Sequence, residues 1–89
     1  MEIPKALKPF LDEDGRLTAW PAKRSKKLIA VEYLASKIER GERFTESEIN
    51  YVLKLHHTFG DHATLRRELF VHGYLNRTID GRSYWRTEK

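Results

Sequence analysis

The sequence contains no cysteine, which excludes a disulfide framework, a thiolate metal site and a cysteine nucleophile. It also lacks an apolar run long enough to span a membrane, and its first residues lack the apolar core of a signal peptide. We therefore expect a cytoplasmic protein that makes no membrane contact.

The residue patterns typical of enzymes are missing as well. We find no nucleophile beside a base, no paired carboxylates at useful spacing and no phosphate-binding glycine loop, so the sequence predicts neither catalysis nor a cofactor. His56, His57 and His62 flank one turn, but adjacent histidines on a helix point about 100° apart. Asp61, the nearest carboxylate, is needed as a helix cap, so we predict no metal site.

What the chain does contain is enough for one small core and a modest excess of positive charge. Of its 89 residues 39% are hydrophobic, and 17 Lys and Arg against 13 Asp and Glu give a net charge of +4. This length favours a single domain over residues 1–89, in which an arm over 1–21 packs on a core over 22–87. The basic residues gather at 23–27 and toward the C-terminus, and such clustering is typical of polyanion binding.

The arm and the first helix are predicted from turn signals and periodicity. A helical turn over 5–11 precedes an Asp-Gly turn and an extended stretch, and a helix over 22–40 follows Pro21. Ile29 and Tyr33 lie off the main apolar stripe of this helix and need a cover. The candidates are Phe10, Leu11 and Trp20 of the arm, or the partner in a homodimer.

Two more helices have clear start signals. Thr45 and Glu48 form a capping box, with Phe44 and Ile49 placed as a hydrophobic staple, and the helix ends near His57. After a short turn containing Gly60, a third helix over 62–72 starts at the N-cap Asp61. Two amphipathic helices around a short glycine-containing turn are typical of a helix-turn-helix.

The C-terminal stretch changes to the period of a β-strand. Asp80-Gly81 predicts a two-residue type I′ turn, which pairs Arg77 with Tyr84 and Asn76 with Trp85. The predicted fold class is therefore α+β: a winged helix-turn-helix with a three-helix core, a C-terminal β-hairpin wing and a short N-terminal segment.

The sequence also resembles a family of small bacterial domains of unknown function, found alone or fused to helix-turn-helix transcriptional regulators. The matching residues are Phe10-Leu11-Asp12, Gly15-Arg16-Leu17, Trp20-Pro21-Ala22-Lys23, Phe44-Thr45-Glu46, His57-Thr58-Phe59-Gly60-Asp61, Leu65-Arg66-Arg67-Glu68-Leu69, Asp80-Gly81-Arg82 and Tyr84-Trp85-Arg86. The resemblance implies a winged-helix fold but no specific activity.

In a DNA-binding domain of this kind the third helix enters the major groove, and the hairpin contacts the backbone or the minor groove. With Leu65 and Leu69 facing the core, Thr64 and Arg67 lie on the solvent side and are candidates for base contacts. Arg66 falls in the apolar arc, so we expect it to pair with Glu48 or Glu32 or to stack on an aromatic ring. The candidate phosphate contacts are Arg77, Arg82, Arg86, Lys23, Lys26 and Lys27.

The leading hypothesis is thus a DNA-binding, transcription-related domain. A second is a protein interaction or dimerisation module that uses Ile29, Tyr33, Val71 or the region of Trp20. A third is a small-molecule pocket built from the aromatic residues Trp20, Tyr33, Tyr84 and Trp85.

Overall fold

The computed structural model describes residues 3–87, so Met1, Glu2, Glu88 and Lys89 of the predicted domain lie outside the described residues. The fold is α+β, and no helix in this part is long and apolar enough to cross a membrane. Its elements are a 3-10 helix (Lys5–Phe10), α1 (Arg24–Ala35), α2 (Glu46–Lys54), α3 (His62–Val71), β1 (Leu75–Arg77) and β2 (Tyr84–Arg86).

Helix α1 is shorter at both ends than the predicted helix over 22–40. It begins after Lys23, whose backbone is extended, and it ends before Ser36, whose hydroxyl donates to Tyr33 O at 2.5 Å. The chain then continues through i→i+3 bonds, since Ile38 N donates to Ala35 O, and these tighten and end the helix. Ile38 is nevertheless fully buried, as its place in the apolar stripe predicts, whereas Leu28 of the same stripe is 38% exposed. The stripe thus predicted burial only in part, and it placed the helix end incorrectly.

The start signals of α2 and α3 are confirmed. Glu48 N donates to Thr45 Oγ1 at 3.1 Å and Thr45 N donates to Glu48 Oε1 at 2.8 Å, which is the reciprocal pair of a capping box. Asp61 caps α3, because its carboxylate accepts from Thr64 N at 3.3 Å. Both signals involve residues three apart, so neighbouring sequence alone decides them.

The hairpin has the predicted register but a different turn. Arg77 pairs with Tyr84 and Asn76 with Trp85. A type I′ turn needs positive φ at both central residues, but only Gly81 has it (φ 72°), so that prediction is wrong. Asp80 is the reason: its carboxylate accepts from the Thr78 hydroxyl at 2.6 Å and from Arg82 N at 3.0 Å. These side-chain bonds hold residues 78–83 as a wider loop.

A third extended piece joins the hairpin. Phe44 N donates to Tyr84 O at 2.8 Å, and Tyr84 N donates to Phe44 O at 2.7 Å, so the residue before the α2 cap lies beside β2. This pairing ties the start of α2 to the hairpin.

The N-terminal segment, residues 3–20, covers the second side of α1. Leu7 and Leu17 are fully buried, and the Tyr33 hydroxyl donates to Gly15 O at 2.7 Å. Leu17 also joins this segment to the end of α2, since its N–H donates to His56 O and its carbonyl accepts from Thr58 N, both at 2.9 Å. The chain's own N-terminal segment therefore covers Tyr33, and the contact is made by Gly15, which was not among the three residues expected there.

Candidate nucleic-acid interface

An open cleft of about 590 Å³ separates α3 from the hairpin. The start of α2 closes one end of it through Glu46, and Tyr84 lies at its base. Its lining residues are Glu46, Ala63, Thr64, Arg66, Arg67, Phe70, Arg77, Asp80, Gly81 and Tyr84. The cleft thus brings together three arginines from two elements, two of which, Arg67 and Arg77, were predicted site residues.

On the α3 side, Arg67 and Thr64 differ in what they can offer a ligand. Arg67 is exposed, and its position on α3 is at the centre of the face opposite Leu65 and Leu69. The Thr64 hydroxyl donates to Asp61 Oδ2 at 2.8 Å, so its proton is already used in the helix cap. Arg67 is therefore the stronger candidate for a base or phosphate contact.

Arg66 is partly buried beside a carboxylate and an aromatic ring, as the sequence predicts. The carboxylate is not one of the two that were expected. Arg66 donates to Asn50 Oδ1 and lies 3.5 Å from Glu46 Oε1, and its guanidinium lies 6.0 Å from the centre of the Tyr84 ring. Glu48, one of the two expected partners, is instead engaged in the capping box. Glu46 lies two residues before Glu48, and α2 presents its first residue, and not its third, toward Arg66.

On the hairpin side, Arg77 and Arg82 are both exposed. The Arg77 guanidinium lies 5.3 Å from the centre of the Phe70 ring, so β1 and α3 contact each other across the cleft. Arg82 points away from the core with 87% of its side chain exposed, and its only ion pair among residues 3–87 is Asp80 at 3.7 Å. Between them, Ile79 forms a fully exposed tip.

The remaining predicted site residues lie outside the cleft. Arg86 donates from Nη1 to Ile38 O at 3.2 Å and so attaches β2 to the end of α1. Lys26 donates to Ala6 O at 3.4 Å and lies 5.9 Å from the Phe10 ring, so it helps hold the N-terminal segment. Lys23 is exposed before α1 and Lys27 is half-buried within it.

The other candidate surfaces are largely occupied by the chain itself. Tyr33 is buried, and Ile29 and Trp20 are half-buried against the core. Val71, the last residue of α3, stays 66% exposed. Of the four aromatic residues considered for a small-molecule pocket, Tyr84 alone lines the cleft. The apolar residues predicted for a dimer interface are thus mostly part of the core.

His57 is a structural residue that the sequence analysis passed over. It is 5% exposed, its Nε2 accepts from Asp61 N at 3.0 Å, and its Nδ1 lies 2.7 Å from Leu53 O. Because Nε2 accepts, the proton is on Nδ1, which donates to the carbonyl. The available signal was its spacing, four residues after the buried Leu53. Within residues 3–87, no three His, Asp or Glu side chains cluster in a way that could hold a metal ion.

Two other histidines make stability depend on pH. Burial lowers the pKa of His56, and Lys37 adds to this effect. Burial also lowers the pKa of His62, aided by Lys54 and Arg66. In the unfolded chain both titrate near pH 6.5. The folded state thus binds protons less readily than the unfolded state.

We therefore expect full stability above about pH 6.5 and a decline as the pH falls from there toward the folded pKa values. Urea unfolding at about pH 7.5 and pH 5.5 measures this change. The double variant His56→Gln, His62→Gln should show a smaller decline. Equal declines in the variant and the parent protein would contradict the assignment to these two residues.

Comparison with known proteins identifies a family for this chain. Neither the curated proteins nor the solved structures contain a match to this chain. A family profile does match, over residues 16–86. Of the residues on which the resemblance was based, Phe10, Leu11, Asp12 and Gly15 lie outside the matched range. Since this match covers most of the chain, including every residue that lines the cleft, the chain belongs to the bacterial family described as "Uncharacterized protein conserved in bacteria (DUF2087)".

Proposed function

We propose that this chain is a winged-helix domain that binds duplex DNA, with α3 in the major groove and the hairpin on the adjacent backbone. The element order supports the fold: three helices are followed by a hairpin, and Phe44 adds an extended piece beside β2. Within such a fold, the helix after the turn is the one that reads base edges. A DNA-binding domain of a bacterium works in the cytoplasm, and regulation of transcription is the role that fits it.

One observation carries the proposal: α3 and the hairpin form two walls of a single open cleft, and each wall presents an exposed arginine. Arg67 stands on the α3 wall and Arg77 on the hairpin wall. Guanidinium groups match the geometry of both phosphate oxygens and the guanine edge. This arrangement lets one ligand touch both elements at once, as a DNA strand running between a groove and a wing does.

The residues divide by the contacts that they can make. Arg67 has enough N–H donors to contact a guanine edge and a neighbouring phosphate together, and it is the only arginine at the centre of the exposed face of α3 among the described residues. Arg77 and Arg82 are suited to phosphates, which give affinity without sequence preference. Lys23 and Lys27 add long-range attraction, while Arg86 and Lys26 serve mainly the internal contacts described above.

Fluorescence anisotropy with labelled duplex DNA at about 50 mM and about 200 mM salt tests the proposal, since engaged phosphates make binding weaken steeply with salt. Arg82→Ala should weaken binding to all sequences alike and reduce the salt slope by about 1. Arg67→Ala should also relax any sequence preference. Lys8→Ala, on the exposed side of the 3-10 helix, is the charge-matched control. No binding at about 50 mM salt would rule DNA out.

A protein interaction module remains the second candidate, and α2 now provides its surface. Tyr51 and Leu55 lie one turn apart and are 64% and 51% exposed. Sedimentation equilibrium of the parent protein and of Tyr51→Ser distinguishes the two functions. An association that this substitution abolishes, together with no DNA binding, would favour the interaction module.

A further inference from the structure

Arg66 is held in place at the edge of the cleft. Its guanidinium donates to Asn50 and faces Glu46 at 3.5 Å, and 23% of its side chain remains exposed. An arginine has five N–H donors in one plane, so these two contacts fix the group and still leave donors for another acceptor. Arg66 is thus a pre-positioned cation beside the exposed Arg67, besides being a packing residue.

Arg77 is pre-positioned in a different way. Its guanidinium stacks near the Phe70 ring, 5.3 Å from the ring centre. Stacking on an aromatic face leaves the N–H edges of a guanidinium free to bind an anion. Since Phe70 belongs to α3, the ring holds Arg77 against the helix that carries Arg66 and Arg67.

The two acidic residues of the cleft do not cancel this charge. Asp80 is engaged with the Thr78 hydroxyl, with Arg82 N and, at 3.7 Å, with the Arg82 guanidinium. Glu46 forms its ion pair with Arg66, and within residues 3–87 neither Arg67 nor Arg77 forms an ion pair with a carboxylate. The cleft therefore has three arginines and two carboxylates, and the charge of Asp80 is partly balanced by Arg82, which lies outside the cleft.

We propose that Arg66, Arg67 and Arg77 form a seat for one phosphate group between α3 and the hairpin. Phosphate suits the seat because its oxygens accept paired N–H donors from several guanidinium groups at once. A DNA backbone phosphate and a free phosphate compound offer the same chemistry. The seat for a DNA phosphate rests on the proposed function, whereas the seat for free pyrophosphate does not.

NMR titration with inorganic pyrophosphate at constant ionic strength tests the seat directly. The Nε–Hε signals of Arg66, Arg67 and Arg77 should shift together with one affinity, and Arg77→Ala should weaken that affinity about tenfold. Arg24→Ala removes an exposed arginine outside the cleft and should leave the affinity unchanged. Shifts spread equally over the other arginines would overturn the seat.

Glu46→Gln tests whether Glu46 only holds Arg66 in place or also repels an anion bound in the cleft. It keeps the size of the side chain and an oxygen facing Arg66 but removes one negative charge from the cleft. Pyrophosphate binding should tighten about two- to fivefold, because a repelling charge is lost. Unchanged or weaker binding by a variant whose thermal unfolding shows it to be folded would contradict the seat.

A duplex with a single neutral methylphosphonate linkage, moved along the backbone, distinguishes the source of the phosphate. At one position the neutral linkage should weaken binding by the parent protein but not by Arg77→Ala. Pyrophosphate binding at the three arginines without DNA binding would leave the seat standing and refute the proposed function. The reverse result would refute the seat and support the proposed function. In that case the protein would bind DNA, pyrophosphate would not shift the arginine signals, and no methylphosphonate position would distinguish Arg77→Ala from the parent protein.

Discussion

His57→Ala should lower the free energy of unfolding by about 3–4 kcal/mol, because it creates a cavity in a buried site and leaves the backbone N–H of Asp61 without its acceptor. The imidazole accepts from Asp61 N, donates to Leu53 O and contacts the Phe59 ring edge-on at 4.8 Å. It therefore holds together the end of α2, the turn and the cap of α3. A domain of this size is stabilised by only about 5–10 kcal/mol, so the loss should be plain in urea unfolding.

Two further variants show which part of this effect belongs to the hydrogen bonds. His57→Phe keeps a ring of similar shape but loses both bonds, and it should cost about 2 kcal/mol. His56→Ala is the matched control, since the neighbouring His56 side chain is only half-buried. This substitution should cost less than about 1 kcal/mol. If His57→Phe were as stable as the parent protein, the hydrogen bonds would not matter.

Gly15→Ala should be the second most destabilising of these substitutions, at about 2–3 kcal/mol. Gly15 has φ +78°, where a side chain is strained, and an added Cβ would lie 2.9 Å from Tyr33 Oη. That hydroxyl cannot move freely, because the Tyr33 ring is buried and its O–H donates to Gly15 O. The substitution thus combines backbone strain with loss of the bond that holds the N-terminal segment on α1.

Gly41→Ala isolates the backbone strain, and thermal or urea unfolding measures both variants. Gly41 has φ +79° but nothing within 4 Å of an added Cβ, so it should cost only about 1 kcal/mol. The double variant Gly15→Ala, Tyr33→Phe should lose less stability than the sum of the two single losses, because phenylalanine lacks the hydroxyl that makes the close contact. Additive losses would show that the contact with Tyr33 plays no part.

Local hydrogen-bond patterns explain which parts of the fold were predictable. The capping box at Thr45 and Glu48 and the N-cap Asp61 were predicted because each bond joins residues three apart. The hairpin register followed from the position of its loop. The type I′ turn was wrong because Asp80 used its own carboxylate to widen the loop, and this competition is invisible in a two-residue signature.

The candidate site was predictable only in part, because helix phase shows which side a residue occupies but not what faces it. Phase placed Arg67 on the solvent side of α3 and Arg66 toward the core. It could not show that Phe70 supports Arg77, or that Asn50 and Glu46 hold Arg66. Nor could it show that Arg86, a predicted phosphate contact, donates to a carbonyl 48 residues away.

The sequence by itself determined the absence of cysteine chemistry, the order of helices and hairpin and the starts of α2 and α3. Composition and bonds between near neighbours are enough for these features. Only the tertiary structure decided that α1 ends at Ala35, that His57 joins two helices and that three arginines line one cleft. Each of these depends on side chains from distant parts of the chain, whose directions are set by packing and by the backbone groups left for them to bind.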